Sequence, residues 1–200
     1  MTIWSPVNRT TFAIALLMAR QNDGRGPTRT QRRTTTRLQD AAYDAQWAAA
    51  LPTSGVGQAL LGGRGELIEI QRCRAYIEAV RASSWFAAAF PRQTTKPLTV
   101  VGGRGTSSAD RDMGLIKIGT EDRHSLHRCE QACLHELAHI LTPDRGPDGT
   151  LRESPDGDQS SRGHHHAWRA NFVFIVRMTL GKQAGARLRH EFRQWGLPTQ

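Results

Sequence analysis

Residues 129–141 read Cys-Glu-Gln-Ala-Cys-Leu-His-Glu-Leu-Ala-His-Ile-Leu, and they contain His135-Glu136-Leu137-Ala138-His139, an HExxH motif. On a helix, side chains four apart share a face, so His135 and His139 can hold one metal ion between them. Glu136 is turned aside from that pair yet stays within reach of a water on the metal. Zinc lowers the pKa of such a water to about 7. A neighbouring carboxylate can then take the proton and pass it to a leaving amine. The flanking residues Ala132, Cys133, Leu134, Leu137, Ala138, Ile140 and Leu141 are small or apolar, and neither Pro nor Gly interrupts them. That pattern predicts a helix buried on most sides. Polar groups on such a helix are costly unless partnered, so two histidines and a glutamate there point to a ligand.

The chain has 200 residues, a length that suits one domain with a tail, and its 38% apolar content suffices for one core. Its formal charge of +9 rests on arginine, because Lys96, Lys117 and Lys182 are the only lysines. The excess is uneven: residues 1–38 hold seven arginines against a single acid, Asp23. Such a leader can contact nucleic acid, or it can simply reflect a general preference for Arg over Lys. Residues 20–36 are polar and basic without periodic apolar positions, which predicts a disordered leader, 1–36, ahead of one domain, 37–200. Cys73, Cys129 and Cys133 are odd in number and irregularly spaced. That argues against a disulfide framework and for a reducing, cytoplasmic setting. Cys129 and Cys133 can share a helix face, but they read as small core residues rather than metal ligands. No run is long enough to span a membrane. Residues 11–19 are apolar, but only Arg9 precedes them as a basic residue and no small-x-small cleavage site follows, so secretion is not expected.

Outward from the motif, the spacing predicts a helix over 37–50, with Leu38, Ala41, Ala42, Ala45 and Ala48 inward and Pro52 and Gly55 closing it. A second helix is expected over 66–82, with Leu67, Ile70, Cys73, Ile77 and Val80 inward, and a further turn over 83–90 with Trp85 and Phe86 in the core. Leu98–Val101 and Gly114–Gly119 read as strands. Residues 104–112 between them read as a polar loop. The stretch 143–163, rich in Pro, Gly, Asp and Ser, reads as a long loop. Helices over 167–180 and 182–195 follow, the first with Trp168, Phe172, Ile175, Val176 and Leu180 inward and Gly181 as its stop. Ala184, Leu188 and Phe192 face inward on the second.

A catalytic zinc site usually has three protein ligands. Thr142 and Arg145 stand where a metzincin has Gly and His, so that pattern is excluded. Glu153 lies in the loop and Glu191 in the last helix, neither in the helical setting of a zinc-ligating Glu. His164, His165 and His166, at the start of the next helix, remain as candidates.

The run Cys133–His139, followed by a His-initiated helix with an aromatic residue four positions on, resembles the SprT-like arrangement. More closely, the chain resembles a family of small metallohydrolases of actinobacteria and their phages. The carrying residues are His135–His139, His164–Arg169, Leu180-Gly181 and Leu188–Phe192, with a looser match over Leu38–Gln46. The resemblance covers about residues 37–197. Counting back from Leu180-Gly181, it implies His164 as the third ligand, with His165 and His166 at the family's Gly and Pro positions.

The combined expectation is an α+β domain, mostly helical and zincin-like, with a small β-sheet beside the HExxH helix. Zinc would be held by His135, His139 and His164, and Glu136 would be the general base of a metallopeptidase acting on a peptide or protein. His124, His127 or an arginine would stabilise the oxyanion, and Gly114–Gly119 would be an edge strand for an extended substrate. Two rival expectations stand beside it. One is a DNA-associated SprT-like protease using the basic leader. The other is a non-catalytic phage or mobile-element protein that keeps zinc for stability.

Overall fold

The computed structural model describes residues 40–62, 67–142, 164–197 and 199. The expectations for the leader, 1–36, and for the loop, 143–163, lie outside the described residues. The chain is α+β and mostly helical. Helix α1 covers residues 40–48. It is followed by α2 (Gly55–Leu61), α3 (Ile70–Arg81), α4 (Ser84–Ala89) and the single turn α5 (Pro91–Thr94). Three strands come next: β1 (Thr99–Gly103), β2 (Ser108–Asp110) and β3 (Leu115–Gly119). A 3-10 turn, Thr120–Asp122, leads to α6 (Leu126–Leu141), and α7 (His166–Leu180) and α8 (Lys182–Gln194) complete the chain.

Helix α6 is the centre of the molecule. Ser125 starts it, its Oγ accepting from the Arg128 amide and so satisfying one of the free N–H groups of the first turn. Eleven of its sixteen residues are buried, as its apolar flanks predicted. It packs against α2, α3, α7 and the strands β2 and β3. Its end is tied to α7: the Thr142 hydroxyl donates to the Ala138 carbonyl at 2.7 Å and accepts from Asn171 Nδ2 at 2.9 Å. The core around it holds Phe86, Ile116, Ile118, Leu134, Leu137, Trp168, Phe172 and Phe192, all nearly or fully inaccessible.

The sheet has the order β1-β3-β2, with β1 parallel and β2 antiparallel to β3. Strand β2 lies within the stretch 104–112 that reads as a plain polar loop. Three residues are too few to produce a period-two signal. Strand β3 is central, its backbone paired on both sides, so Gly114–Gly119 cannot accept an extended substrate as an edge strand. Ile116 and Ile118 instead point into the core.

Two inward faces differ from expectation. In α1 the buried positions are Ala42, Ala45 and Gln46, with Ala49 buried just beyond its end, while Ala48 is exposed. In α3 Tyr76 joins Cys73, Ile77 and Val80 inside, and Leu67 stands outside the helix, 37% exposed. Helix α2 follows the first helix directly, where only a closing loop was expected. Ser54 caps it through the Gly57 amide at 2.8 Å. The turn α5 was not expected, the other helices agree with their predicted spans to within a few residues, and no helix among the described residues is long and apolar enough to cross a membrane.

Candidate metal centre

The four-residue spacing on α6 brings His135 and His139 onto one face. Their Nε2 atoms lie 3.2 Å apart. His164, immediately before α7, places its own Nε2 at 3.0 Å from that of His135. Two zinc–nitrogen bonds of about 2.0–2.1 Å at a tetrahedral angle separate the nitrogens by roughly 3.3 Å. Three imidazoles from two segments thus converge with the spacing that one small ion requires, and no carboxylate is needed to complete the set. His165 and His166 are not part of the group; their rings lie 5.9 Å from each other, and His165 occupies the N-cap of α7.

The His135 ring is hydrogen-bonded from behind, whereas His139 and His164 are held through their main chains and by ring packing, His164 Nδ1 having no hydrogen-bond partner among the described residues. His135 Nδ1 donates to Gln46 Oε1 at 2.8 Å, which leaves its Nε2 lone pair for a metal. Gln46 Nε2 in turn donates to Gln131 Oε1 at 3.3 Å, and Gln131 Nε2 donates to the His127 ring at 3.0 Å. The main chain of His164 is pinned by the buried Arg169, whose Nη1 donates to the His164 carbonyl at 2.8 Å. Arg111 Nε donates to the His139 carbonyl at 2.9 Å. Trp168 underlies the trio, stacked on His139 at 5.1 Å and edge-on to His164 at 4.3 Å. Tyr43 covers it from α1, stacked on His135 at 5.1 Å and 12° and edge-on to His164.

The electrostatics suit cation binding. Burial, followed by the neighbouring His164 and His139, pushes His135 well below the ordinary histidine range. Burial and His164 do the same to His139, and burial with Arg169 lowers His164 to about 4. All three rings are therefore neutral at neutral pH, the form that binds metal. Glu136 is 4% exposed, and burial raises its carboxyl to about 8, with Asp122 adding to the rise and Lys117 opposing it. Without a metal this carboxyl is therefore mostly protonated at neutral pH, and a cation bound beside it would favour the carboxylate that a general base requires. Tyr43 is raised to about 12 by burial, Glu136 and Asp122, so its phenol keeps its proton and remains a hydrogen-bond donor.

The structure thus brings together His135, Glu136, His139 and His164. It assigns His127 to the outer end of the glutamine relay, and it leaves His124 exposed. Two residues of the site escaped the sequence reading, Tyr43 and Gln46, both on α1. One signal was available: Gln46 interrupts an alanine stripe, and a polar side chain on a buried face demands a partner. A separate hollow of about 110 Å³ between Arg81, Leu98, Gly114 and Leu137 contains none of the three histidines.

Fold and site together define an α+β domain with a buried, neutral three-histidine centre beside a glutamate. Comparison with protein-family models, with curated proteins and with solved structures finds no match.

Proposed function

We propose that this chain is a zincin-like, zinc-dependent metallohydrolase that cleaves peptide bonds in the cytoplasm, as the resemblance to the actinobacterial and phage metallohydrolases implies. The observation that carries the reading is the convergence of the His135, His139 and His164 Nε2 atoms with Glu136 next in sequence. Those three histidines would hold the ion, which when bound supplies Lewis acidity and makes a coordinated water acidic enough to ionise near pH 7.

The chain's own residues perform the rest. Glu136 accepts the proton released as water adds to the scissile carbonyl, then gives it to the amine nitrogen as the C–N bond breaks. The Tyr43 phenol, protonated and above the histidine rings, donates a hydrogen bond to the carbonyl oxygen as negative charge gathers there. Gln46, Arg169 and Trp168 keep the three rings from reorienting between turnovers. The edge of β2 that no strand pairs among the described residues is the surface for an extended substrate, since Arg111, which follows it, is bonded to the carbonyl of His139.

Glu136→Gln tests the proposal. The variant should retain its zinc and its thermal stability but lose at least about a thousandfold in peptide hydrolysis. Equal hydrolysis by both proteins, or none by the zinc-loaded wild type on a diverse peptide library, sinks the peptidase reading and leaves zinc with a structural role.

A further inference from the structure

Cys73 comes from α3, and Cys129 and Cys133 come from α6, one turn apart. None is exposed at all. The sulfur atoms of Cys73 and Cys129 lie 3.4 Å apart, and all three sulfurs lie within 4.8 Å of one another. Zinc–sulfur bonds of about 2.3 Å separate two ligand sulfurs by roughly 3.8 Å in a tetrahedral site and 4.0 Å in a trigonal one. The Cys73–Cys129 pair is slightly closer than this, and the 4.8 Å limit on the other pairs admits these spacings. No disulfide joins any pair.

Packing alone does not account for the neighbour of this trio. Arg123 lies close enough for its charge to act on Cys73 and Cys129. Its Nη1 donates to the Ile68 carbonyl at 3.0 Å, but its Nε is buried with no hydrogen-bond partner. Hydrogen bonds from Cys129 and Cys133 lower the Cys73 thiol to about 4, so the metal-free trio already offers this cation one thiolate. Set against three thiolates holding a divalent ion, the same cation neutralises the single negative charge that remains. A monovalent ion would leave one further charge without a counterpart.

We propose that Cys73, Cys129 and Cys133 form a second, structural metal site for a divalent thiophilic ion of the zinc class, with Arg123 as its counter-charge. The ion clamps α3 to α6, elements whose cysteines are 56 residues apart in sequence. The site is independent of the three-histidine centre, which uses another face of α6 and has no sulfur ligand. Binding releases the thiol protons to solvent and involves no oxidation. Full burial suits an ion taken up as the chain folds and not exchanged afterwards.

Cobalt substitution separates the two centres, because only thiolate ligands give intense sulfur-to-metal charge transfer in the near ultraviolet. The full-length reduced protein, refolded with cobalt alone, should bind about two ions and display that band. His139→Ala should keep the band while binding about one ion, and Cys129→Ser should lose it while keeping the histidine-bound ion. Absence of the band from the wild type, which requires no variant to fold, overturns the proposal. So does a band that disappears in His139→Ala but persists in Cys129→Ser, or a native protein whose Cys73 and Cys129 are recovered as a disulfide. None of these outcomes bears on whether the histidine centre hydrolyses peptides.

Discussion

At the scale of single residues, the proposed metal centre would depend on side chains that do not touch the ion. Gln46 fixes the tautomer of His135, so Gln46→Ala should weaken zinc binding about 10–100-fold while leaving the ligands in place. Competition with a chromophoric chelator measures this directly. His164→Ala should lose far more, and His165→Ala and His166→Ala should bind zinc as the wild type does. Wild-type affinity in His164→Ala would contradict the geometry described above. The HExxH ligands were legible because helical spacing fixes their relation locally. His164 required the resemblance as well, since three consecutive histidines are equivalent until a fold selects one. Tyr43 was not legible, and the break that Gln46 makes in the alanine stripe signals a partner without identifying it. Both reach the site from α1 across 89 residues of sequence in the case of Gln46 and His135, and no local pattern reports a contact of that range.

Among the elements, Glu130 is the junction of three helices. Its carboxylate accepts from the Tyr76 hydroxyl at 2.8 Å, from the Ser54 amide at 3.0 Å and from the Ser54 hydroxyl. Gly57 passes so close that any side chain there would meet the carboxylate. Removing the acceptor leaves buried donors on two other elements. Glu130→Ala should therefore cost roughly 3 kcal/mol in urea unfolding and Tyr76→Phe only about 1 kcal/mol, because the second change deletes one donor and leaves the carboxylate its others. A smaller loss for Glu130→Ala than for Tyr76→Phe would contradict this arrangement. The helices were readable from their apolar periods, with α1 and α3 rotated slightly from expectation. The sheet was readable only in part. Strand order is set by which backbones meet after folding, and alternation in Leu115–Gly119 describes a strand with one buried face without saying whether it stands at an edge.

Across the whole molecule, the buried ionisable groups make stability depend on pH with a definite sign. In the metal-free protein His135, His139 and His164 have folded pKa values below 6.5, so the unfolded chain binds more protons as pH falls through that value. Stability is fully present above about 6.5 and is lost below it, continuing to about 4 for His164. Glu136 acts in the opposite sense: raised from 4.5 to about 8, it favours the folded state as pH falls between those values. Three histidines outweigh one carboxyl, so the urea midpoint of chelator-treated protein should peak near pH 6.5–7 and decline steadily on the acid side. In Glu136→Gln the rise from pH 8 to the peak should disappear and the acid decline should remain. A midpoint that is flat from pH 8 to pH 5 in the metal-free wild type would rule out buried neutral histidines. The central helix also carries a consequence for how this sequence can vary. Cys129, Glu130, Gln131 and His135 reach Cys73, Tyr76, Gln46 and His164 on other segments from this one helix. One residue inserted in its middle turns everything beyond it by about 100°, parting the sulfurs from the imidazoles and the glutamine relay in a single event. Natural length changes in this protein must therefore fall outside α6.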